Sequence, residues 1–160
     1  MKVLNLLKNK VIIRQAVKED CPQLLKLMRQ LAVFECYIED FNVSIDDLIK
    51  HGFSKQHPST YKAIVAEVEG ELLGYLVYYL IPFTYDLKPT LFIKELYVSE
   101  QSRGLGVGKG LMRFTINEAE NKKCGRMKWD VLSDNINAQK FYQSFGALYD
   151  DRWQGYVLKL

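Results

Sequence analysis

The chain has 160 residues, 48% of them hydrophobic and 26% charged, and carries a formal net charge of +3. That length and balance suit one domain able to bury most of its apolar surface, and exclude a disordered chain or a set of membrane spans. So small a positive excess, with no Lys/Arg cluster along one helix, excludes a nucleic-acid partner as the expectation.

Residues 1–10 read as an N-terminal extension, with Val3, Leu4, Leu6 and Leu7 set between lysines. The run is too short for a secretory apolar segment and no small-residue cleavage site follows it, so a cytoplasmic protein with no membrane contact is expected. Residues 11–160 read as a single domain, free of repeats, low-complexity tracts and linkers. The spacing predicts a first strand over 11–17. Asp20 then precedes Cys21-Pro22 as a helix cap, and Leu24, Met28 and Leu31 make a helical stripe. Ser44 and Asp47 form a capping pair for a short helix through Ile49. Asn42-Val43-Ser44 matches a glycosylation sequon, which has no meaning without secretion. His51 and His57 lie in or near a loop and lack metal-ligand spacing, and Cys21, Cys36 and Cys124 lack CxxC spacing; reduced thiols and no metal are expected.

Two apolar runs, 61–68 and 72–80, are joined by Glu69-Gly70-Glu71 and predict an antiparallel hairpin. Residues 91–98 (Leu-Phe-Ile-Lys-Glu-Leu-Tyr-Val) predict a further strand. A helix runs from the following glycines to about Lys122: Val107, Leu111, Thr115 and Ala119 recur on one face, and Lys109, Arg113, Asn117 and Glu120 fall on the other. Gly125 is expected to end it. A strand over 127–132, a helix over 138–145 stopped by Gly146, and a last strand over 153–158 complete the order. Mixed strands and helices with one late crossover imply an α/β sandwich about a mixed sheet.

The run Arg103-Gly104-Leu105-Gly106-Val107-Gly108-Lys109-Gly110 is the most telling stretch. Glycines at every second position sit between a strand and an amphipathic helix. The unbonded N–H groups of a first helical turn, together with the helix dipole, favour an anion there, and glycine lets it come close. A dinucleotide fingerprint fails, because Lys109 and Leu111 stand where its third glycine would be. A Walker loop fails too: it would need glycine at Arg103 and Ser or Thr at Gly110. The pattern Arg/Gln-x-x-Gly-x-Gly/Ala is met by Arg103, Gly106 and Gly108. That pattern resembles the acetyl-CoA pyrophosphate loop of the GNAT superfamily of N-acetyltransferases; the plain alternative is a glycine-rich turn that only starts a helix.

A second stretch carries the same likeness. Asn135, then Ala138, Phe141-Tyr142 and Gly146-Ala147 resemble the family's segment from strand five into helix four. Leu31-Ala32…Glu35, Val65-Ala66-Glu67-Val68, Tyr78-Tyr79 and Phe83-Thr84-Tyr85-Asp86 resemble its spermidine/spermine (diamine) and thialysine branch. The resemblance implies the GNAT-type (acyl-CoA N-acyltransferase) fold: a mixed, mostly antiparallel sheet of about six to seven strands with about four helices. It implies acetyl-CoA as cofactor, with CoA as product, and a primary amine of a small molecule as acceptor, diamine- or amino-acid-like. It also implies a homodimer meeting near the last strands. The chain ends at Leu160, soon after the last predicted strand, without the longer tail of those relatives.

By that resemblance, Leu96, Tyr97 and Val98 bond the pantetheine arm and face the thioester carbonyl. Arg103, Gly104, Leu105, Gly106, Val107, Gly108 and Lys109 hold the pyrophosphate, and Asn135 either bonds pantetheine or caps its helix. Tyr142 aligns with the family's general acid, and a phenol of pKa about 10 matches a departing alkyl thiolate; the alternative is packing beside Phe141 and Phe145. One departure stands out. The branch carries a Glu-Asp pair where this chain has Lys94-Glu95, and Lys94 repels a cationic acceptor. Strand alternation turns Glu95 to the other face unless a bulge intervenes. Glu35, Glu95 and Asp130 are the acidic candidates on the substrate side, each open to a plain ion-paired role. Acetylation of protein or peptide amines, or CoA binding without turnover, are the alternatives; the aromatic loop Phe83-Thr84-Tyr85 and residues 34–41 favour a small, enclosed acceptor.

Overall fold

Branched and aromatic residues at alternating positions build the sheet that organises this chain. The computed structural model describes residues 10–82 and 86–160. Among them, β1 (Ile12–Gln15), β2 (Lys62–Val68), β3 (Glu71–Ile81), β4 (Thr90–Val98) and β5 (Arg126–Lys128) lie side by side in that order. The first three pairs are antiparallel and β4–β5 is parallel. The helices are α1 (Cys21–Phe34), α2 (Ile45–Gly52), α3 (Val107–Asn121) and α4 (Ile136–Gln143). The chain divides after Trp129 into two compact units. The first holds the whole sheet with α1, α2 and α3; the second holds α4.

Alternation sorts the first unit into two faces. Ala63, Val65, Tyr75, Val77 and Tyr97 pack with Cys21, Leu24, Leu27, Met28 and Leu31 of α1 and Leu48 of α2. The residues between them face α3: the Tyr78 hydroxyl donates to Glu118 Oε2 at 3.1 Å. Gly110 of α3 lies so close to β1 that a Cβ there would meet Ile13 at 3.2 Å.

The mixed, mostly antiparallel α/β architecture is as expected, but the sheet has five strands among the described residues rather than six or seven. The strand expected over 127–132 is confined to Arg126–Lys128, and 153–158 forms no strand. Trp153, Tyr156, Val157 and Leu158 are exposed there, so no apolar face fixes a register.

Two caps also differ. Asp20 makes no side-chain cap on α1. Its carboxylate instead accepts from the Val17 N–H at 2.7 Å and from Arg14 at 2.7 and 2.9 Å. Lys123 rather than Gly125 takes the left-handed position that ends α3 (φ 54). The Lys123 and Cys124 N–H groups return to the carbonyls of Glu120 and Ala119, which satisfies the last turn. Gly125 serves the next step, where a Cβ would meet Lys88 at 3.1 Å as the chain comes alongside β4. The Ser44–Asp47 capping box forms as expected. Residues 1–9 and the Phe83-Thr84-Tyr85 loop lie outside the described residues.

Candidate active site

Strand β4 is paired along its whole length on one side and only at its start on the other. β3 follows it to Val98, whereas β5 reaches only Thr90, Leu91 and Phe92. In an antiparallel ladder alternate residues turn their N–H and C=O groups away from the partner. The stretch from Ile93 to Val98 therefore presents main-chain groups on the edge that β5 leaves, and it includes Leu96, Tyr97 and Val98. Gly74 of β3 fits tightly against the end of that stretch: a Cβ there would stand 2.7 Å from the Tyr97 carbonyl oxygen.

A one-residue bulge interrupts β4. Val77 pairs with Glu95 and Tyr78 with Ile93, so Lys94 is the extra residue. It shifts the parity of everything after it. Leu91 and Ile93 share the α3 face with their partners, while Glu95 and Tyr97 turn to the α1 face with Val77 and Tyr75. The exposed Lys94 and half-buried Glu95 thus begin the portion of β4 that carries the open edge.

An acidic and phenolic cluster gathers around Glu95. The Tyr75 hydroxyl donates to Glu95 Oε2 at 2.8 Å. Helix α1 ends just above: Cys36 takes a left-handed conformation (φ 61), and the Cys36 and Tyr37 N–H groups bond back to Val33 and Ala32. That turn brings Glu35 and Tyr37 to Glu95. Glu35 is exposed at the end of the helix; partial desolvation there, followed by repulsion from Glu95, pushes its carboxyl up, and Lys94 partly offsets it. Burial, with Glu95 and Glu35, pushes the Tyr37 phenol up to about 12. Burial and Glu95 likewise hold the Tyr75 phenol well above its ordinary value. Both phenols are therefore proton donors at neutral pH, facing carboxylates.

Beyond β4, a short turn over Glu100–Ser102 leads to the glycine run. Gly104 (φ 77) and Gly106 (φ 80) are left-handed, and Gly106 caps α3 without any side-chain bond. The first intrahelical bond runs from the Gly110 N–H to the Gly106 carbonyl at 2.9 Å. The N–H groups of Val107, Gly108 and Lys109 precede it and have no helical acceptor. Nothing lies within 4 Å of a Cβ built on Gly104 or Gly106, so the space over these donors is open. Open space, three orphan donors, the helix dipole and the exposed Lys109 fit a phosphate group. Arg103 faces the other way, toward β4: its Nε donates to the Val98 carbonyl at 3.2 Å, and its guanidinium lies over the rings of Phe34 and Tyr97 at 5.1 and 5.7 Å.

In the second unit, Asn135 caps α4, its Oδ1 accepting from the Ala138 N–H at 3.0 Å. Tyr142 is half-buried on α4 and meets Phe141 edge-on, with centroids 5.2 Å apart. Phe141 packs in the same way on Phe145. Asp130 is exposed at the start of this unit.

The structure thus brings together Glu35 and Glu95, and assembles the glycine run as an anion-binding helix start. Sequence reasoning passed over Tyr37 and Tyr75. Tyr75 carried a signal: a phenol inside an apolar strand must find a hydrogen-bond partner when buried. No group of His, Cys, Asp or Glu among the described residues is arranged to hold a metal ion. No helix among them is long and apolar enough to cross a membrane.

The chain is similar to known proteins. Residues 24–147 match the acetyltransferase (GNAT) family. The thialysine N-epsilon-acetyltransferase of Bos taurus is 30% identical over 145 residues, which is 86% of this chain and 84% of that protein. The spermine/spermidine N(1)-acetyltransferase of Bacillus subtilis (strain 168) is 30% identical over 117 residues, covering 71% of this chain and 72% of that protein. A solved integron cassette protein from the mobile metagenome of V. cholerae superposes with a TM-score of 0.77 at 28% identity, over 93% of this chain and 92% of that one. The family match and these relatives, in keeping with the glycine-run helix start and half-open fourth strand of this chain, place it in the GNAT family, as an acetyl-CoA-dependent N-acetyltransferase.

Proposed function

We propose that the acceptor is a small cationic primary amine, a diamine, polyamine or lysine-like amino acid, and that Glu95 with Glu35 receives its ammonium group. One observation carries the reading: the bulge at Lys94 turns Glu95 onto the face where Glu35 waits, at the start of the half-open stretch of β4. The names of the relatives, one acting on thialysine and one on spermine and spermidine, support the same substrate class.

In this reading the pyrophosphate of acetyl-CoA lies on the N–H groups of Val107, Gly108 and Lys109, and the pantetheine arm bonds the open edge at Leu96, Tyr97 and Val98. Bound there, acetyl-CoA supplies the activated acyl group. Glu95 takes a proton from the acceptor ammonium, directly or through one water, and leaves a neutral amine. The amine nitrogen then bonds to the carbonyl carbon as the C–S bond breaks, with main-chain N–H groups of β4 stabilising the charge on oxygen. The departing thiolate takes a proton from a general acid, the role that the family resemblance gives to Tyr142, and that acid is restored by the second proton the amine loses. Lys94 is the exposed cation at the rim; it repels a second ammonium but suits an acceptor bearing a carboxylate. Residues 11–160 act as one catalytic domain in the cytoplasm.

Replacing Glu95 by glutamine tests the assignment, because the amide keeps the shape and cannot accept the proton. The expected result is a fall in acceptor kcat/KM of roughly 10²-fold or more, with the KM for acetyl-CoA nearly unchanged. A folded Glu95→Gln protein with wild-type acceptor kinetics would overturn it.

A further inference from the structure

Tyr75 sits in the middle of β3 with no exposed surface, packed among the apolar residues of α1, α2 and the sheet. A phenylalanine would fill that space without needing a partner, whereas a buried hydroxyl is costly unless it is bonded. The hydroxyl has one definite partner, Glu95 Oε2 at 2.8 Å. The register explains the reach. Tyr75 pairs with Tyr97 and Val77 with Glu95, so Glu95 is the diagonal neighbour of Tyr75, and only because the bulge has moved it to this face.

Building on the reading of Glu95 as the amine-binding carboxylate, we propose that Tyr75 is its positioning residue: the hydroxyl donates to one carboxylate oxygen and aims the group at the acceptor. Glu35 and Tyr37 face Glu95 from the end of α1, Lys94 and Tyr97 accompany it on β4, and Arg103 lies over the Tyr97 ring. The Tyr75 phenol, held well above its ordinary pKa by burial and by Glu95, stays a donor throughout the range in which carboxylates titrate. A donor held on a carboxylate oxygen favours the charged form, so removing the hydroxyl withdraws that support along with the fixed orientation.

The test is Tyr75→Phe, with Tyr75→Met as a second variant that keeps apolar bulk and also lacks the donor. The Glu95 side-chain carboxyl is followed by NMR titration in protein labelled at glutamate, its resonance assigned by loss in Glu95→Gln. The expected result is an upward move of the Glu95 titration relative to the parent protein. The lower limb of the pH profile of kcat/KM for spermidine or thialysine should move by the same amount. In Glu95→Gln, adding Tyr75→Phe should bring no further loss. A purely structural tyrosine would lower the melting temperature and leave the titration and the pH limb in place; that outcome overturns the proposal. The two readings fail separately: full turnover in Glu95→Gln sinks the role of Glu95, whereas an unmoved titration in Tyr75→Phe sinks only the role of Tyr75.

Discussion

One inserted residue changes the chemistry of β4. Without Lys94 as the extra residue, Glu95 would continue the alternation of Leu91 and Ile93 toward α3, away from Glu35. The Lys94-Glu95 dipeptide was visible in the sequence as a charged pair inside an apolar strand, and the direction of Glu95 was legible only as conditional on a bulge. No glycine marks the bulge, so composition alone could not settle it. In the glycine run, Gly104 and Gly106 take left-handed geometry and Gly110 a close approach to Ile13, which demand that residue type and made the loop legible, whereas the direction of Arg103 was not. At Gly106 an added Cβ would meet no protein atom within 4 Å, but a branched residue there would adopt a φ of 80 at a cost of about 1–2 kcal/mol and would add bulk beside the orphan N–H groups. Gly106→Val should therefore raise the dissociation constant for CoA at least tenfold or so, measured by calorimetry in a variant that melts cooperatively. Unchanged affinity would remove the pyrophosphate from this loop. Asn135 resolves toward its capping role, with its Oδ1 on the Ala138 N–H. For Tyr142, a phenylalanine keeps the edge-on contact with Phe141 and loses only the proton. If the hydroxyl protonates the thiolate, kcat should fall by on the order of 10²-fold while CoA affinity holds. Retention of most of the turnover would leave Tyr142 a packing residue.

Elements position these residues through a few tight junctions. The start of β3 against the end of β4 is one of them: Gly74 leaves no room for a methyl group, since its nearest neighbour would be the Tyr97 carbonyl oxygen rather than a side chain that can swing away. Gly74→Ala should cost about 1–3 kcal/mol, seen as a lower urea midpoint, and should weaken CoA binding because the displaced main chain belongs to the open edge. A midpoint equal to wild type would mean that the strands separate here without penalty. The entry to α1 is the second junction. Arg14 bonds Asp20 twice and Glu67 at 2.8 Å, tying β1 and β2 to the turn before the helix. Burial alone would raise the Asp20 pKa, but the hydrogen bonds from Arg14 and the Val17 N–H and the Arg14 charge outweigh it, and the net shift is downward. A depressed folded value gives stability above the unfolded pKa of about 4, lost as pH falls through the folded one. Asp20→Asn should cost about 1–3 kcal/mol at pH 7, and its melting curve should converge on wild type in stronger acid. A constant gap across that range would contradict the linkage. The sequence marked Asp20 as special but suggested the wrong partner: a carboxylate before Cys21-Pro22 reads as a helix cap, and only the folded chain brings Arg14 within reach.

For the molecule as a whole, the order of elements along the chain and the hairpin of β2 and β3 were legible because apolar periodicity reports burial directly, whereas the order of strands across the sheet came only with the fold. What failed was the C-terminal segment, whose aromatic and branched residues looked like a strand but are exposed: Trp153 at 71%, Tyr156 at 89% and Val157 at 90%. A run of this kind on one chain invites a partner surface, and together with the branch resemblance it supports a homodimer. Light scattering at micromolar concentration should give about twice the mass of one 18.6 kDa chain; a monomer mass would remove that support. The catalytic account meets its most direct test in turnover itself. Purified protein is given acetyl-CoA with spermidine, putrescine, lysine, thialysine, an aminoglycoside and a lysine-containing peptide in turn, and both free thiol and acetylated acceptor are measured. The account predicts thiol release matched by one acetylated product for a small cationic amine, and little for the peptide. Binding of CoA with no acceptor-dependent thiol release across the panel, or turnover confined to the peptide, would contradict it.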